Sequence, residues 1–235
     1  RFKKFSSLPE HYRRPKSHLT VPTYEEGGCR VFAGWEGSRE QQIAEARHWL
    51  NVTSMSCSSA VGLTRELSID QLRAAALDGS IEQELGFIEV APGDFFSIPA
   101  GTIHAIGGGI TLVEVQQNED VTYRLYDYGR PRELHLEEGM AVAKGEPYDP
   151  SLRQHVPDHG TTRLVDGPFF LLDRLDGLPD ASLAADYPGP LLVIPRDADV
   201  SVNGEQVGPG QCALAGSIES VSFPAKGRCL IARPV

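Results

Sequence analysis

The order of apolar and polar positions predicts many short strands and a few short helices. Apolar residues at helical spacing predict a helix over residues 69–77. Ser68 occupies the N-cap position with Gln71 three residues on, which is a capping box, and Gly79 lies just past the end. Segments rich in helix-forming residues at 39–47 and 133–143 favour two further short helices.

Short runs of β-branched and aromatic residues, bounded by Gly, Pro or Asn, predict strands. The predicted strands lie within residues 49–63, 95–98, 110–116, 169–172, 191–194 and 200–202. Asn203-Gly204 between two such runs predicts a hairpin turn. Residues 145–158 contain three prolines and several polar residues, which favours a linker.

A short imperfect sequence repeat indicates two related β-units. Val90-Ala91-Pro92-Gly93-Asp94 returns in altered form as Val207-Gly208-Pro209-Gly210-Gln211. We therefore expect a mainly β protein with a first unit over residues 1–150, carrying a helical insertion near 68–85, and a second unit over 151–235.

Composition and charge narrow the class of protein. The 235 residues carry a formal net charge of −10, with 40% hydrophobic and 23% charged residues. That balance is typical of a folded globule, and it argues against a nucleic-acid partner, which would favour a basic chain. No run approaches the ~20 apolar residues of a membrane helix, so we expect no membrane partner.

The cysteines and the first residues favour a cytoplasmic setting. The four cysteines, Cys29, Cys57, Cys212 and Cys229, are scattered without a C-x-x-C pair, which favours buried thiols over a disulfide framework. The basic opening of the sequence lacks the apolar core of a secretory signal. No feature of the sequence calls for an obligatory protein partner.

The most informative motif runs from Gly93 to His104. It has the form G-x5-P-x-G-x2-H, in which a strand leads to a tight turn at Pro99 and Gly101 and the next strand carries the histidine. This spacing resembles the second half-motif of the cupin β-barrel. A neutral imidazole held in such a barrel is a good ligand for a first-row metal, whereas a histidine without this frame is more often a satisfied core residue.

The chain resembles the type I phosphomannose isomerases, which are zinc cupins. The resemblance is nearly continuous over residues 62–143. It includes the helix near residue 72 and the stretch Glu114-Val115-Gln116-Gln117-Asn118-Glu119-Asp120-Val121-Thr122-Tyr123-Arg124-Leu125-Tyr126-Asp127-Tyr128-Gly129-Arg130. In its short length the chain resembles the compact bacterial form of that family. The implied fold is a cupin (jelly-roll) β-barrel, with residues 151–235 forming a second, degenerate unit without metal.

The resemblance also implies roles for individual residues. His104 matches a zinc ligand, and Glu114 and Arg124 match residues that line a sugar-phosphate pocket. Glu45 and His48 lie near the position of a further ligand. The implied reaction interconverts mannose 6-phosphate with fructose 6-phosphate through an enediolate, with one Zn²⁺ per chain and a small phosphorylated sugar as the binding partner. Without the family, Glu114 and Arg124 would suggest a structural ion pair across a hairpin.

The sequence departs from the family in the first half of the metal site. None of the seven histidines has a glutamine two positions earlier, so the family's Q-x-H strand has no counterpart. Arg47 stands where a metal-binding glutamate is expected, and a cation beside a metal is unfavourable. Two hypotheses therefore stand side by side: a zinc-dependent isomerase, or a diverged, metal-poor cupin that binds a sugar or sugar phosphate without catalysis.

Overall fold

The computed structural model describes residues 25–26, 29–32, 58–107, 110, 112–117, 123–128 and 132–235. Their contacts group into two compact units. We call the described residues of 58–110 and 123–156 the central unit. The described residues of 25–32 and 112–117, together with 157–235, form the C-terminal unit.

The described part of the chain is mainly β. In chain order its strands are β1 (Glu25–Glu26), β2 (Cys29–Phe32), β3 (Ser58–Leu63), β4 (Leu85–Glu89), β5 (Asp94–Phe96), β6 (His104–Ala105), β7 (Glu114–Gln117), β8 (Arg153–His155), β9 (Thr162–Asp166), β10 (Phe170–Asp176), β11 (Leu191–Pro195), β12 (Val200–Val202), β13 (Glu205–Val207), β14 (Ala213–Ala215), β15 (Val221–Ser222) and β16 (Arg228–Pro234). Its helices are α1 (Ile69–Asp78), α2 (Ile81–Glu84), α3 (Leu136–Val142) and α4 (Ala181–Ala185), with 3-10 turns at Pro150–Leu152 and Ile218–Ser220. Among these helices, none is both long enough and apolar enough to cross a membrane.

In the central unit, β3 is the middle strand of an antiparallel sheet in the order β4-β3-β6. Helix α1 begins as predicted, because the Gln71 N–H donates to the Ser68 hydroxyl and the Ser68 N–H donates to the Gln71 side chain. Its buried face, Leu72, Ala75 and Ala76, joins the core that also contains β3 and α3. The predicted helix within 133–143 is confirmed as α3.

Glycines let the chain after α3 lie directly against the sheet. A Cβ at Gly101 would lie 2.4 Å from the Val142 carbonyl oxygen, and one at Gly62 would lie 2.3 Å from the Tyr148 nitrogen. Both glycines have positive φ, which other residues rarely adopt. The Lys144 N–H donates to the Gly101 carbonyl at 2.9 Å, so residues 142–148 are fixed to the turn that precedes β6.

The segment expected to be a linker is partly a strand. β8 lies within residues 145–158 and pairs with β5 in antiparallel register. The Asp94 carboxylate, whose side chain is 6% exposed, explains the pairing. It accepts hydrogen bonds from Arg153 Nη2 at 2.7 Å, His155 Nδ1 at 3.0 Å and the Ala91 N–H at 3.1 Å. The interpretation as a linker is therefore wrong for residues 153–155.

The C-terminal unit is built on an antiparallel sheet in the order β14-β11-β16-β10-β9. β16 pairs with β10 from Phe170↔Pro234 to Asp176↔Arg228, and it pairs on its other side with β11. Smaller sheets in the orders β13-β12-β15 and β1-β2-β7 complete the described strands of the unit. The hairpin predicted at Asn203-Gly204 is confirmed between β12 and β13.

A buried polar network lies within this large sheet. Asp173 on β10 is 1% exposed and accepts hydrogen bonds from the Tyr187 hydroxyl at 2.7 Å and from Arg163 Nε at 2.8 Å. Burial raises the pKa of Tyr187 far above its usual value, so the phenol stays neutral and donates. Cys229 is also buried, and burial raises the pKa of its thiol to about 12. Cys212 and Cys229 form no disulfide within the described residues, while Cys29 and Cys57 carry no described side chain.

Some predicted elements lie outside the described residues, and one predicted strand is longer than the strand observed. The helix predicted at 39–47 lies outside them, as does the first part of the strand predicted at 49–63. The strand predicted at 110–116 is shorter, because β2 pairs only with residues 114–117. The division of the chain near residue 150 stays a prediction.

The close approach at Gly101 predicts a large loss of stability on substitution. Gly101→Ala places a methyl group against the Val142 carbonyl oxygen, in addition to the roughly 1–2 kcal/mol cost of left-handed backbone for an alanine. Gly210→Ala is the matched control, because Gly210 occupies a turn with positive φ and a Cβ added there would meet nothing within 4 Å. Thermal unfolding should show a clearly lower Tm for Gly101→Ala than for Gly210→Ala. Equal Tm values would contradict the close approach.

The Asp94 contacts predict a pH dependence of stability. Burial acts to raise the pKa of Asp94, but the hydrogen bonds from His155, Arg153 and the Ala91 N–H outweigh it and hold the pKa below its usual value. Such a carboxylate contributes stability that is present above its unfolded pKa of about 3.9 and is lost as the pH falls through its folded pKa.

Urea unfolding at several pH values tests this dependence. The free energy of unfolding should be lower for Asp94→Asn than for the unsubstituted protein at pH 7, and the gap should narrow below about pH 4. Glu146→Gln, at an exposed position of the same unit, should show no such narrowing. A constant gap across the pH range would refute the assignment.

Candidate functional site

His104 begins the short strand β6, directly opposite Val61 of β3. The turn before it is the one predicted from Pro99 and Gly101, since the Thr102 N–H donates to the Pro99 carbonyl at 3.1 Å. The imidazole is exposed, and its Nδ1 lies 2.9 Å from the Thr102 carbonyl oxygen. The turn and the sheet register therefore fix both the position and the ring orientation of His104.

The contact with Thr102 determines the tautomer of the ring. A carbonyl oxygen can only accept a hydrogen bond, so Nδ1 of His104 carries the proton and Nε2 keeps its lone pair. Histidines that bind metals commonly donate one ring N–H to a carbonyl in this manner. His104 thus fits the role of one metal ligand through Nε2.

The other predicted ligands lie outside the described residues. Glu45 and His48 belong to residues 33–57, which carry no described structure. Within the described ranges, no group of three or more His, Cys, Asp or Glu side chains could hold a metal ion. The described residues therefore supply one fitting donor and not a complete set of metal ligands.

Arg124 is held at both its backbone and its side chain. Its N–H donates to Nδ1 of His135 at 3.2 Å, and its carbonyl accepts from the His135 N–H at 2.8 Å. Its Nη1 donates to the Glu133 carbonyl at 3.1 Å, and its Nε lies 4.0 Å from an oxygen of Asp127. The side chain remains 30% exposed, so the cation is positioned without being enclosed.

Asp127 and Arg132 are the residues that sequence reasoning missed. Asp127 is buried, and both of its carboxylate oxygens accept from the guanidinium of Arg132. In the sequence, Arg132 is one of several cations that follow residues 123–128. The neighbouring residues did not indicate which acidic side chain it would pair with.

Glu114 is exposed on β7, opposite Phe32 of β2. It belongs to the C-terminal unit, whereas His104 and Arg124 belong to the central unit. The described ion pair of Arg124 is with Asp127 and not with Glu114. The catalytic and metal-binding roles of these residues stay predictions.

Comparison with known proteins gives one clear result and one negative one. No protein-family model matches the chain. The chain is 37% identical over 141 residues to the mannose-6-phosphate isomerase ManA of Bacillus subtilis strain 168, a match that covers 56% of this chain and 44% of that protein. The chain therefore spans less than half the length of this curated relative.

Two solved structures are similar in fold. A crystal structure of the mannose 6-phosphate isomerase from Bacillus subtilis has a TM-score of 0.55 at 20% identity, covering 77% of this chain and 61% of that one. A mannose 6-phosphate isomerase bound with zinc and yttrium has a TM-score of 0.52 at 14% identity, covering 88% of this chain and 78% of that one.

These likenesses confirm the expected class. The protein is a mainly β protein of the cupin type. Over 141 residues the sequence is similar to that of a mannose-6-phosphate isomerase, so the resemblance found in the sequence is confirmed.

The two histidines of the site should differ in tautomer. His104 should carry its proton on Nδ1, because Thr102 accepts from that atom. His135 should carry its proton on Nε2, because its Nδ1 accepts from the Arg124 N–H. Long-range ¹H–¹⁵N NMR spectra of the neutral imidazoles distinguish the two forms in one sample. Finding Nε2–H on His104 would contradict the orientation of the ring described above.

Proposed function

We propose that the protein is an aldose–ketose isomerase that interconverts mannose 6-phosphate and fructose 6-phosphate. The observation that carries the proposal is the 37% identity over 141 residues to a mannose-6-phosphate isomerase. The contacts of His104 and Arg124 support the proposal. Thr102 orients the imidazole of His104, and Glu133 holds the guanidinium of Arg124.

The proposed reaction moves one proton between neighbouring carbons. A base removes the proton from C2 of the aldose, which leaves an enediolate across C1 and C2. The hydroxyl proton passes from O2 to O1, and return of a proton to C1 gives the ketose. No oxidant or reductant is consumed. We assign the stabilisation of the enediolate oxygen to the permanent cation of Arg124. Glu114 stays the candidate catalytic acid that the resemblance implies.

His104 is the residue that we propose to hold zinc in the central unit. Its Nε2 lone pair is free of the Thr102 contact and suits a Zn–N bond. When bound, zinc would polarise an oxygen of the sugar as a Lewis acid. Glu45 and His48 remain the proposed sources of further ligands.

The local charge suits an anionic substrate in spite of the acidic chain. Arg124 and Arg132 both lie beside the carboxylate of Asp127, so two cations face one anion. This excess of positive charge can attract a sugar phosphate although the net charge of the chain is −10.

Metal content and a coupled isomerase assay on the purified protein test the proposal. We expect bound zinc and turnover of mannose 6-phosphate in the unsubstituted protein. His104→Ala should lose both, and Arg124→Ala should lose about 100-fold or more in kcat/KM, the usual effect of removing a charge-stabilising donor. The matched control is His159→Ala, because His159 is a 92% exposed histidine of the C-terminal unit.

The same experiment distinguishes the isomerase from the second hypothesis, a cupin that binds a sugar or sugar phosphate without catalysis. Thermal stabilisation by mannose 6-phosphate without zinc and without turnover would favour a metal-poor sugar-phosphate binding protein. Full activity in both His104→Ala and Arg124→Ala would overturn the assignment of the site.

A further inference from the structure

The carboxylate of Asp127 is a buried acid in contact with the cations of the candidate site. Its side chain is 5% exposed, whereas those of Arg124 and Arg132 are 30% and 45% exposed. A buried carboxylate is stable only if it is paired and hydrogen-bonded. Arg132 meets that need, because its Nε and Nη2 donate to the two oxygens in the fork geometry that arginine favours.

Arg124 is therefore not needed to neutralise Asp127. Its Nε nevertheless faces an Asp127 oxygen at 4.0 Å, and its Nη1 is occupied by the Glu133 carbonyl. The ion pair with Asp127 and the hydrogen bond to Glu133 restrain the guanidinium on its Nε and Nη1 sides, so we expect a ligand to approach from the Nη2 side.

The main chain of Arg124 is restrained as well as its side chain. The reciprocal hydrogen bonds with His135 fix the main chain of Arg124 to the residue immediately before α3. Leu125, the next residue, packs on the core of the central unit, and a Cβ at Gly139 of α3 would lie 2.3 Å from it. Main chain and side chain of Arg124 are thus both held, which is the arrangement expected of a pre-oriented cation.

We propose that Asp127 is a positioning residue that orients the Arg124 guanidinium toward the substrate, with Arg132 holding Asp127 in place. The proposal rests on the proposed function, since it assigns the orientation of the same cation. Asp127 acts through Arg124 and does not touch the reacting atoms.

The sharpest experiment is a double-mutant cycle of Asp127→Asn and Arg124→Ala, read in kcat and KM with mannose 6-phosphate. Asp127→Asn alone should lower kcat/KM about 10- to 100-fold, the scale expected for misplacing a reacting group. In the Arg124→Ala background the same substitution should have no further effect. Additive losses, or unaltered activity of Asp127→Asn, would overturn the proposal.

A second variant guards against a trivial loss of folding. Arg132→Gln retains Asp127 but removes the paired hydrogen bonds that the Arg132 guanidinium donates to it. The carboxylate should then draw Arg124 inward, which should raise KM. The Tm of Arg132→Gln should stay close to that of Asp127→Asn. Glu137→Gln is the control, because Glu137 is a 75% exposed partner of Arg73 in the same unit and should leave kcat and KM unchanged. Arg132→Gln with unaltered KM would count against the proposal.

Failure of the proposed function can be told apart from failure of this inference. If the unsubstituted protein shows no turnover, the isomerase assignment fails, and the same cycle is then read in the dissociation constant of fructose 6-phosphate by calorimetry. A loss of affinity in Asp127→Asn that disappears in the Arg124→Ala background supports the positioning role. Undiminished affinity in Asp127→Asn, or no binding by any variant, overturns it.

Discussion

The candidate site of the central unit depends on one continuous segment, residues 135–148, being laid against the sheet. Its beginning holds Arg124, because His135 exchanges two hydrogen bonds with the main chain of that residue. Its end lies against Gly101 and Gly62, close to the strand that carries His104. His104 and Arg124, two of the predicted functional residues, thus lie on parts of the chain that both contact this segment. A shift of this segment would displace the imidazole and the guanidinium together.

The electrostatic arrangement follows from what the central unit buries. Asp127 is buried, and a buried carboxylate demands a cation. Arg132 supplies that cation, which leaves the charge of Arg124 free to face outward. A chain with ten excess negative charges can therefore present a local positive centre. The field at a site depends on the nearest charges, since distant surface charges are screened over about 8 Å at physiological salt.

The sequence predicted features that depend on a few neighbouring residues. Ser68 and Gln71 determine the start of α1, Asn203 marks the hairpin, and the motif before His104 predicted the turn that fixes the ring. It could not predict contacts between distant side chains. The pairing of β5 with β8 depends on Asp94 meeting Arg153, 59 residues away. A proline-rich composition at 145–158 favoured a linker, and the long-range ion pair overrode it.

The repeated Pro-Gly turn has the same backbone in the two units but carries different side chains. At Asp94 and at Gln211 the same turn forms, and each side chain accepts a hydrogen bond from the N–H three residues earlier. Asp94 is charged and recruits Arg153 and His155, which adds a strand to the central unit. Gln211 is neutral and cannot form an ion pair, and no histidine follows at the position equivalent to His104. The same backbone turn thus occurs in both units, while the carboxylate that recruits Arg153 and His155, and the histidine ten residues after it, follow only the turn of the central unit.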